Sequence, residues 1–352
     1  MSAEIAIIGT AGLPAKYGGF ETLAQNLVLI DDQGFIVYCS GKPEPAYSPA
    51  ENVRLYHINI PANGALSIVY DIACVVHAVF SGCRRLLLLG SSASFAIGPL
   101  KMIFPSLKVI TNIDGLESTR AKWGVAAGLV LSAAERNATM VSDKLISDNP
   151  AIKSHLFSKY GAESALIAYG GDHALRSVRD VQSLKAFAIC RIEPENNIEL
   201  ILSAFVSSDM EIIFVGNWQA SEYGRALYSR WCDYKNLDLR MPIYSQYDLD
   251  EIRSNTSIYV HGHSAGGTNP SLVEAMCCGF SVVSFDCIFN RETTHDSAYY
   301  FKSSAELASI MSDLRASEHK SNADEMFKLG QEHYTWEIIR KKYKDLFIST
   351  FG

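Results

Sequence analysis

The 352-residue sequence has no uninterrupted apolar run of about 18 residues, the length a helix needs to cross a bilayer, so no transmembrane helix is expected. It has no basic excess. Lys and Arg number 31 against 38 Asp and Glu, for a formal net charge of −7 and a pI of 5.7. That balance excludes a dedicated nucleic-acid binder, which needs a basic surface to meet phosphates. It has no Cys-x-x-Cys pair: Cys39, Cys74, Cys83, Cys190, Cys232, Cys277, Cys278 and Cys287 mostly sit inside apolar runs. Reduced, buried thiols are expected, and the paired ligand spacing of structural zinc is missing. No basic segment precedes the apolar start at Met1–Gly9. A signal peptide is therefore not expected, and the reading is a cytoplasmic protein. Low-complexity segments and short repeats are also missing.

What remains is globular. The charged fraction is 20% and the hydrophobic fraction 48%, enough to build a core. Length suggests about two domains. Charge is uneven along the chain. From Arg84 to Lys159 there are ten Lys/Arg and five Asp/Glu, a local balance of +5. A basic segment inside an acidic protein can seek an anionic membrane surface, or can be scattered over solvated helix faces.

Strands alternating with helices define the organisation. Glu4–Gly9 reads as a buried strand, and Phe20–Ile30 as a helix with one apolar face. Further strands are expected at Phe35–Cys39, Val53–Ile58, Arg85–Leu89, Lys108–Asn112, Thr139–Ser142 and Ala165–Tyr169. Helices are expected at Ser67–Ser81, Lys122–Arg136 and Lys144–Lys159. The pattern restarts after residues 170–184. Ala186–Cys190, Glu211–Val215, Leu237–Leu239, Ser257–Val260 and Ser281–Phe285 read as strands. Asn197–Val206, Ser221–Tyr234, Asp248–Asn255 and Pro270–Cys278 read as helices, and the last sixty residues as helical. Two Rossmann-like α/β halves of similar size are expected to face each other across a cleft, with ligands beyond the carboxyl ends of the strands.

Four stretches carry candidate chemistry. Gly18-Gly19 opens a helix after the first strand, where backbone amides can meet phosphate oxygens. The Gly-x-Gly-x-x-Gly spacing of a dinucleotide site is missing, which weakens an oxidoreductase reading. Arg191 ends the first strand of the second half, suited to a diphosphate or to pairing with Glu193 or Glu195. Gly262 to Met276 runs from a strand through a Gly-rich loop into a Pro-opened helix. There the amides of Gly266, Gly267 and Thr268 would converge. Glu274, about one turn into the helix, could accept two ribose hydroxyls or simply favour the helix dipole. Asp114, in Asn112-Ile113-Asp114-Gly115, could orient a sugar hydroxyl or cap the next helix. Asp248-Leu249-Asp250 matches a metal-nucleotide pattern but falls at a helix start. His261 and His263 have metal-like spacing with no third ligand nearby.

Four of these segments, in order, carry a family resemblance along the whole chain. IAIIGTAGLPAKYGGFET, NIDGLE, RIEPENNIEL, and GHSAGGTNPSLVEAM with downstream FNRE resemble family-four retaining glycosyltransferases of the GT-B fold. Within that family they are similar to the rhamnosyltransferase-like subgroup of bacterial capsule and O-antigen assembly. The resemblance implies an acceptor-side domain over residues 1–170 and a nucleotide-sugar domain over 171–335, with helix 336–352 crossing back to the first. It implies that Gly18 and Gly19 lie against donor diphosphate and acceptor, and that Asp114 sits near the transferred sugar. Arg191 would hold the diphosphate and Glu274 the ribose. Gly266, Gly267, Thr268 and neighbouring Asn269 and His263 would line the donor site. Two positions depart from the family pattern. Gly266 stands where many members have the first glutamate of Glu-x7-Glu, and Asn196 where many have a phosphate-binding lysine. Lys16 is a candidate replacement by position.

The expected activity is retaining transfer of L-rhamnose from a dTDP donor to a lipid-linked saccharide, with no metal or other cofactor. The expected location is cytoplasmic, at the inner membrane face. Alternatives are a UDP- or GDP-linked hexose donor, a nucleotide-sugar oxidoreductase or isomerase, and a non-catalytic saccharide-binding module.

Overall fold

The structure is a computed structural model that describes residues 4–16, 18–113, 115, 125–177, 184–314 and 316–352. The chain divides into two compact units, Met1–Ala168 with Ile339–Gly352, and Tyr169–Ile338.

The first unit holds strands β1 (Ile5–Ile8), β2 (Phe35–Ser40), β3 (Val53–Ile58), β4 (Arg85–Leu89), β5 (Lys108–Ile113), β6 (Lys144–Ser147) and β7 (Ala165–Leu166). Its helices are α1 (Gly19–Leu27), α2 (Ser67–Phe80), α3 (Ser94–Ile103), α4 (Val125–Val141) and α5 (Pro150–Tyr160). The sheet is parallel throughout, in the order β3-β2-β1-β4-β5-β6-β7. Ile7 pairs with Val37 on one side and Leu87 on the other, and all three are buried. Continuous apolar runs are what a parallel sheet covered on both faces requires. Tyr70, Cys74, Val75 and Ala78 of α2 pack over Ala6, Ile8, Leu86 and Leu88. The chain leaves β1 at Gly9 with φ +101, and a Cβ there would lie 2.0 Å from the Leu89 carbonyl oxygen. Only glycine fits that exit.

The second unit holds β8 (Ala186–Ile189), β9 (Ile212–Val215), β10 (Leu237–Arg240), β11 (Ile258–His261), β12 (Ser281–Phe285) and β13 (Tyr299–Phe301). Its sheet order is β10-β9-β8-β11-β12-β13, again parallel. The helices are α6 (Ile198–Val206), α7 (Glu222–Trp231), α8 (Gln246–Ser254), α9 (Pro270–Cys277), α10 (Ile288–Thr293), α11 (Ser304–Asp313) and α12 (Ala316–His333). A last helix, α13 (Trp336–Phe351), begins in the second unit and continues in the first. There Tyr343 Oη accepts a 3.1 Å hydrogen bond from Asn112, and Phe347 meets the Phe35 ring edge-on.

Three expectations are corrected. No strand spans Thr139–Ser142: α4 continues to Val141, with Ala134 and Ala138 buried along its inner stripe. The expected helix Lys144–Lys159 splits into β6 and α5 instead. Asn149 marks the new start, its side chain accepting from Ala151 N at 2.9 Å with Pro150 at the first helical position. The last sixty residues include β13, which pairs with β12 as an edge strand. A helix not expected from the sequence, α3, contains Gly98 and Pro99, residues that weaken a helical pattern.

Asp71, one turn into α2, is buried and accepts a hydrogen bond from Ser92 in the loop after β4. Burial pushes its carboxyl up, from 3.8 to about 6. A raised folded-state pKa favours the protonated acid. Its contribution to stability is therefore complete below about pH 4 and is lost as pH rises through about 6. Asp71→Asn is expected to raise the Tm by several degrees at pH 7.5, roughly 1–3 kcal/mol, and to change it little at pH 4. Melting curves at the two pH values check this.

Candidate functional site

In the second unit the neighbouring strands β8 and β11 feed connections that run in opposite directions along the sheet. β8 leads through α6 to β9, and β11 through α9 to β12. This is the topological switch point, where open α/β sheets leave a crevice beyond the strand ends. The loops after β8 and β11 are the ones the sequence singled out.

The two loops are tied together by side chains. After β8 the chain makes a single 3-10 turn, Pro194–Asn196, and Asn197 then takes φ +50 before α6 begins. Asn196 Nδ2 donates to the Arg191 carbonyl at 2.7 Å, and its Oδ1 lies 2.7 Å from His263 Nδ1. Because the amide nitrogen is the donor, Oδ1 is the acceptor and His263 carries its proton on Nδ1. Asn197 Nδ2 donates to the Gly262 carbonyl at 2.8 Å. Ser264 donates from both N and Oγ to the Glu195 carbonyl, each at 2.9 Å. Asn290 Nδ2 holds the His263 carbonyl at 2.8 Å. Asn196 and His263 are both buried. Arg191 is not: its guanidinium is half exposed, and its one ion pair among the described residues is a loose 3.8 Å approach to Glu193.

Gly266 follows with φ +100, then Gly267 and Thr268, all three buried. Asn269 caps α9, accepting from Ser271 N at 3.1 Å and from Ser271 Oγ at 2.9 Å. Tyr259 Oη donates to Ser271 Oγ at 2.8 Å, fixing the helix start to β11. The loop amides thus lead into the positive end of the α9 dipole, a setting that favours anions.

Glu274 is held from two sides. Arg253 Nη2 of α8 approaches Oε2 at 3.3 Å, and His173 Nε2 approaches Oε1 at 3.3 Å. The indole N–H of Trp336 donates to His173 Nδ1 at 2.9 Å. An indole can only donate, so His173 Nδ1 accepts and neutral His173 carries its proton on Nε2, facing Glu274. A relay from Trp336 through His173 therefore sets the carboxylate. Gly170 and Gly171 make room for it. A Cβ at Gly170 would lie 2.5 Å from the Trp336 ring, and one at Gly171 would lie 2.4 Å from the Val273 carbonyl oxygen.

The remaining candidates sit elsewhere. Asp114 lies outside the described residues. Gly18 (φ +150) and Gly19 open α1 in the first unit, where Lys16 pairs with Glu44 at 2.8 Å. Asp248 is in the first turn of α8, while Asp250 accepts from the hydroxyl of Ser177, from the Ser177 backbone N at 2.6 Å and from Ser254. These bonds hold the Asp250 carboxyl below its usual range. His261 is buried, its Nε2 has no hydrogen-bond partner among the described residues, and desolvation lowers its pKa to about 3. Arg253, His173 and Tyr259 were not singled out by sequence, and Asn197 and Asn290, within the RIEPENNIEL and FNRE segments, were given no role there. Their partners lie on separate elements, so no spacing announces them.

The family described as "Domain of unknown function (DUF1972)" matches residues 2–172. Sucrose-phosphate synthase from Thermosynechococcus elongatus superposes with a TM-score of 0.83 at 14% identity, covering 99% of each chain. HepE from Anabaena, in complex with UDP and glucose, gives 0.75 at 13%, covering 99% of this chain and 100% of that one. A glycosyltransferase from Rickettsia africae gives 0.72 at 10%, covering 99% of each. No curated protein sequence matches. The fold is that of the GT-B glycosyltransferases, with two parallel-sheet, Rossmann-like α/β domains.

Proposed function

We propose that this chain is a retaining, metal-independent hexosyltransferase that moves L-rhamnose from a dTDP donor to a hydroxyl of a lipid-linked saccharide in surface polysaccharide assembly. The observation that carries the reading is the Asn196–His263 lock at the switch point of the second unit, with Arg191 left half exposed beside it and the Gly266–Thr268 loop leading into α9. HepE, which shares the fold, is a UDP and glucose complex, and that supports a nucleotide-sugar donor here.

In this mechanism Arg191 and the amides of Gly266, Gly267 and Thr268 hold the diphosphate and stabilise its charge as the glycosidic bond breaks. The leaving phosphate oxygen takes the proton of the acceptor hydroxyl, which bonds to the same face of the sugar. The sequence resemblance assigns Gly18 and Gly19 to the donor or acceptor and Asp114 to the transferred sugar. Asn196, at a position where a lysine would add a cation, uses both ends of its amide inside the lock and so acts by shaping the loop. Glu274, already aimed by Arg253 and His173, keeps lone pairs for the ribose hydroxyls. The use of Asp250 on Ser177 supports a mechanism without a metal at the Asp248-Leu249-Asp250 segment.

The test is a thermal-shift panel of dTDP-rhamnose, UDP-glucose, a GDP-hexose and NAD, since a ligand that binds the native state raises the Tm. The largest shift is expected for dTDP-rhamnose. A larger shift for UDP-glucose or the GDP-hexose moves the donor assignment. A shift for NAD alone overturns the transferase reading in favour of an oxidoreductase. Glu274→Gln is expected to raise the donor KM about tenfold or more, the loss of a charge-assisted hydrogen bond worth about 1.5–3 kcal/mol. Unchanged kinetics would remove Glu274 from the site.

A further inference from the structure

In the first unit α2 packs beside α3, and α3 beside α4. The inward stripe of α2, including Tyr70, Cys74 and Ala78, fills the core. A helix facing water should carry charge on the opposite stripe. On α2 that stripe is Val69, Val76 and Phe80, spaced by seven and four residues and all exposed. α3 adds Phe95, Met102 and Ile103, and α4 adds Leu129 and Met140 with the exposed Arg136 between them on one stripe. Exposure reaches 66% at Phe80 and 86% at Met102. Solvated helices do not normally leave such side chains uncovered in a group.

The charge on these helices points the same way. α2, α3 and α4 contain two carboxylates, Asp71 and Glu135, and both are buried, at 6% and 4% exposure. Their outer face therefore shows no anion. At one margin Arg84 lies over the Phe104 ring, 4.3 Å from its centroid, and Phe80 meets the same ring edge-on at 5.5 Å. The positive balance of the segment does not suffice alone, because Lys101 and Lys108 pair with Asp143 and Lys159 with Glu135. Arg136 is exposed on the α4 stripe, and Lys144 is exposed at the start of β6, just after α4 ends at Val141.

We propose that the outer face of α2, α3 and α4 is the surface by which this protein lies on an anionic lipid bilayer. Phe80, Met102 and Ile103 enter the acyl boundary, while Arg84, Arg136 and Lys144 meet headgroup phosphates. A second copy of the chain fits less well, since a two-fold contact through this face would bring cations against cations with no exposed carboxylate of these helices, among the described residues, to offset them. An anionic bilayer supplies the missing countercharge. The proposal adds a location to the lipid-linked acceptor of the proposed function. Its test reads binding rather than transfer, so either can fail without the other.

The experiment is sedimentation of the full chain with vesicles of phosphatidylglycerol and phosphatidylcholine, and with phosphatidylcholine alone. The wild type is expected to sediment with the anionic vesicles and to remain partly bound at high salt, because apolar insertion is not screened. The double variant Phe80→Glu/Met102→Glu is expected to partition about tenfold less, with an unchanged melting curve. Leu29→Glu, at an exposed leucine outside these helices, is expected to bind like the wild type. A wild type that stays in solution with anionic vesicles at low salt overturns the proposal, as does a double variant that sediments normally. So does a concentration-dependent dimer that the double variant abolishes without vesicle binding.

Discussion

Arg253→Met is expected to destabilise the second unit by about 3–5 kcal/mol, the cost of leaving a largely buried carboxylate without its cation. Arg253 is buried on α8. Besides Glu274 it donates to the Leu175 carbonyl and to Gln246 at 3.0 Å. Methionine keeps much of the volume and removes every donor. His173 remains on the other carboxylate oxygen, and Glu274 keeps a small solvent path, which places the loss toward the lower end of that range. Urea unfolding measures it. The double variant Arg253→Met/Glu274→Met should lose clearly less than the sum of the two single variants, because no unpaired charge remains. Additive losses would mean the two residues are not energetically coupled.

Gly262→Ala is expected to cost about 2–4 kcal/mol and to erase any nucleotide-induced thermal shift. The added Cβ would lie 2.1 Å from the Asn196 carbonyl oxygen and 2.7 Å from Ile201 Cδ1. The carbonyl is backbone, fixed by the 3-10 turn, so the two loops must separate. Separation breaks the Asn196–His263 and Asn197–Gly262 hydrogen bonds together. The strain comes from close approach rather than from an unusual backbone angle. An unfolding midpoint close to the wild type, with ligand shifts intact, would show that the loops can part without loss.

The alternation of strands and helices was legible because a parallel sheet writes itself as short apolar runs, as at Ile5–Ile8 and Ser281–Phe285. The misreadings fall where that signal is ambiguous. Thr139 to Ser147 offers two short apolar stretches, and only the Asn149-Pro150 start signal tells which one is the strand. In α3, Gly98 and Pro99 conceal a helix that the core tolerates. At the site, the glycines, Arg191, Asn196 and His263 could be named from sequence, since they stand at strand ends or in one loop. What they do with one another could not. Asn196 and His263 are 67 positions apart and Trp336 and His173 are 163 apart, so those hydrogen bonds exist only once the sheet has brought the loops together.

The split of α13 has a consequence for synthesis on the ribosome. Phe35 and Asn112 emerge early, but Phe347 and Tyr343, which pack against them, leave the exit tunnel only after the whole second unit. At about 5–20 residues per second, the second unit, Tyr169–Ile338, takes on the order of ten to thirty seconds to appear. Through that interval the nascent first sheet is missing one of its covers. Its completion waits for the synthesis of α13, whereas the second sheet has every strand in hand once β13 is made.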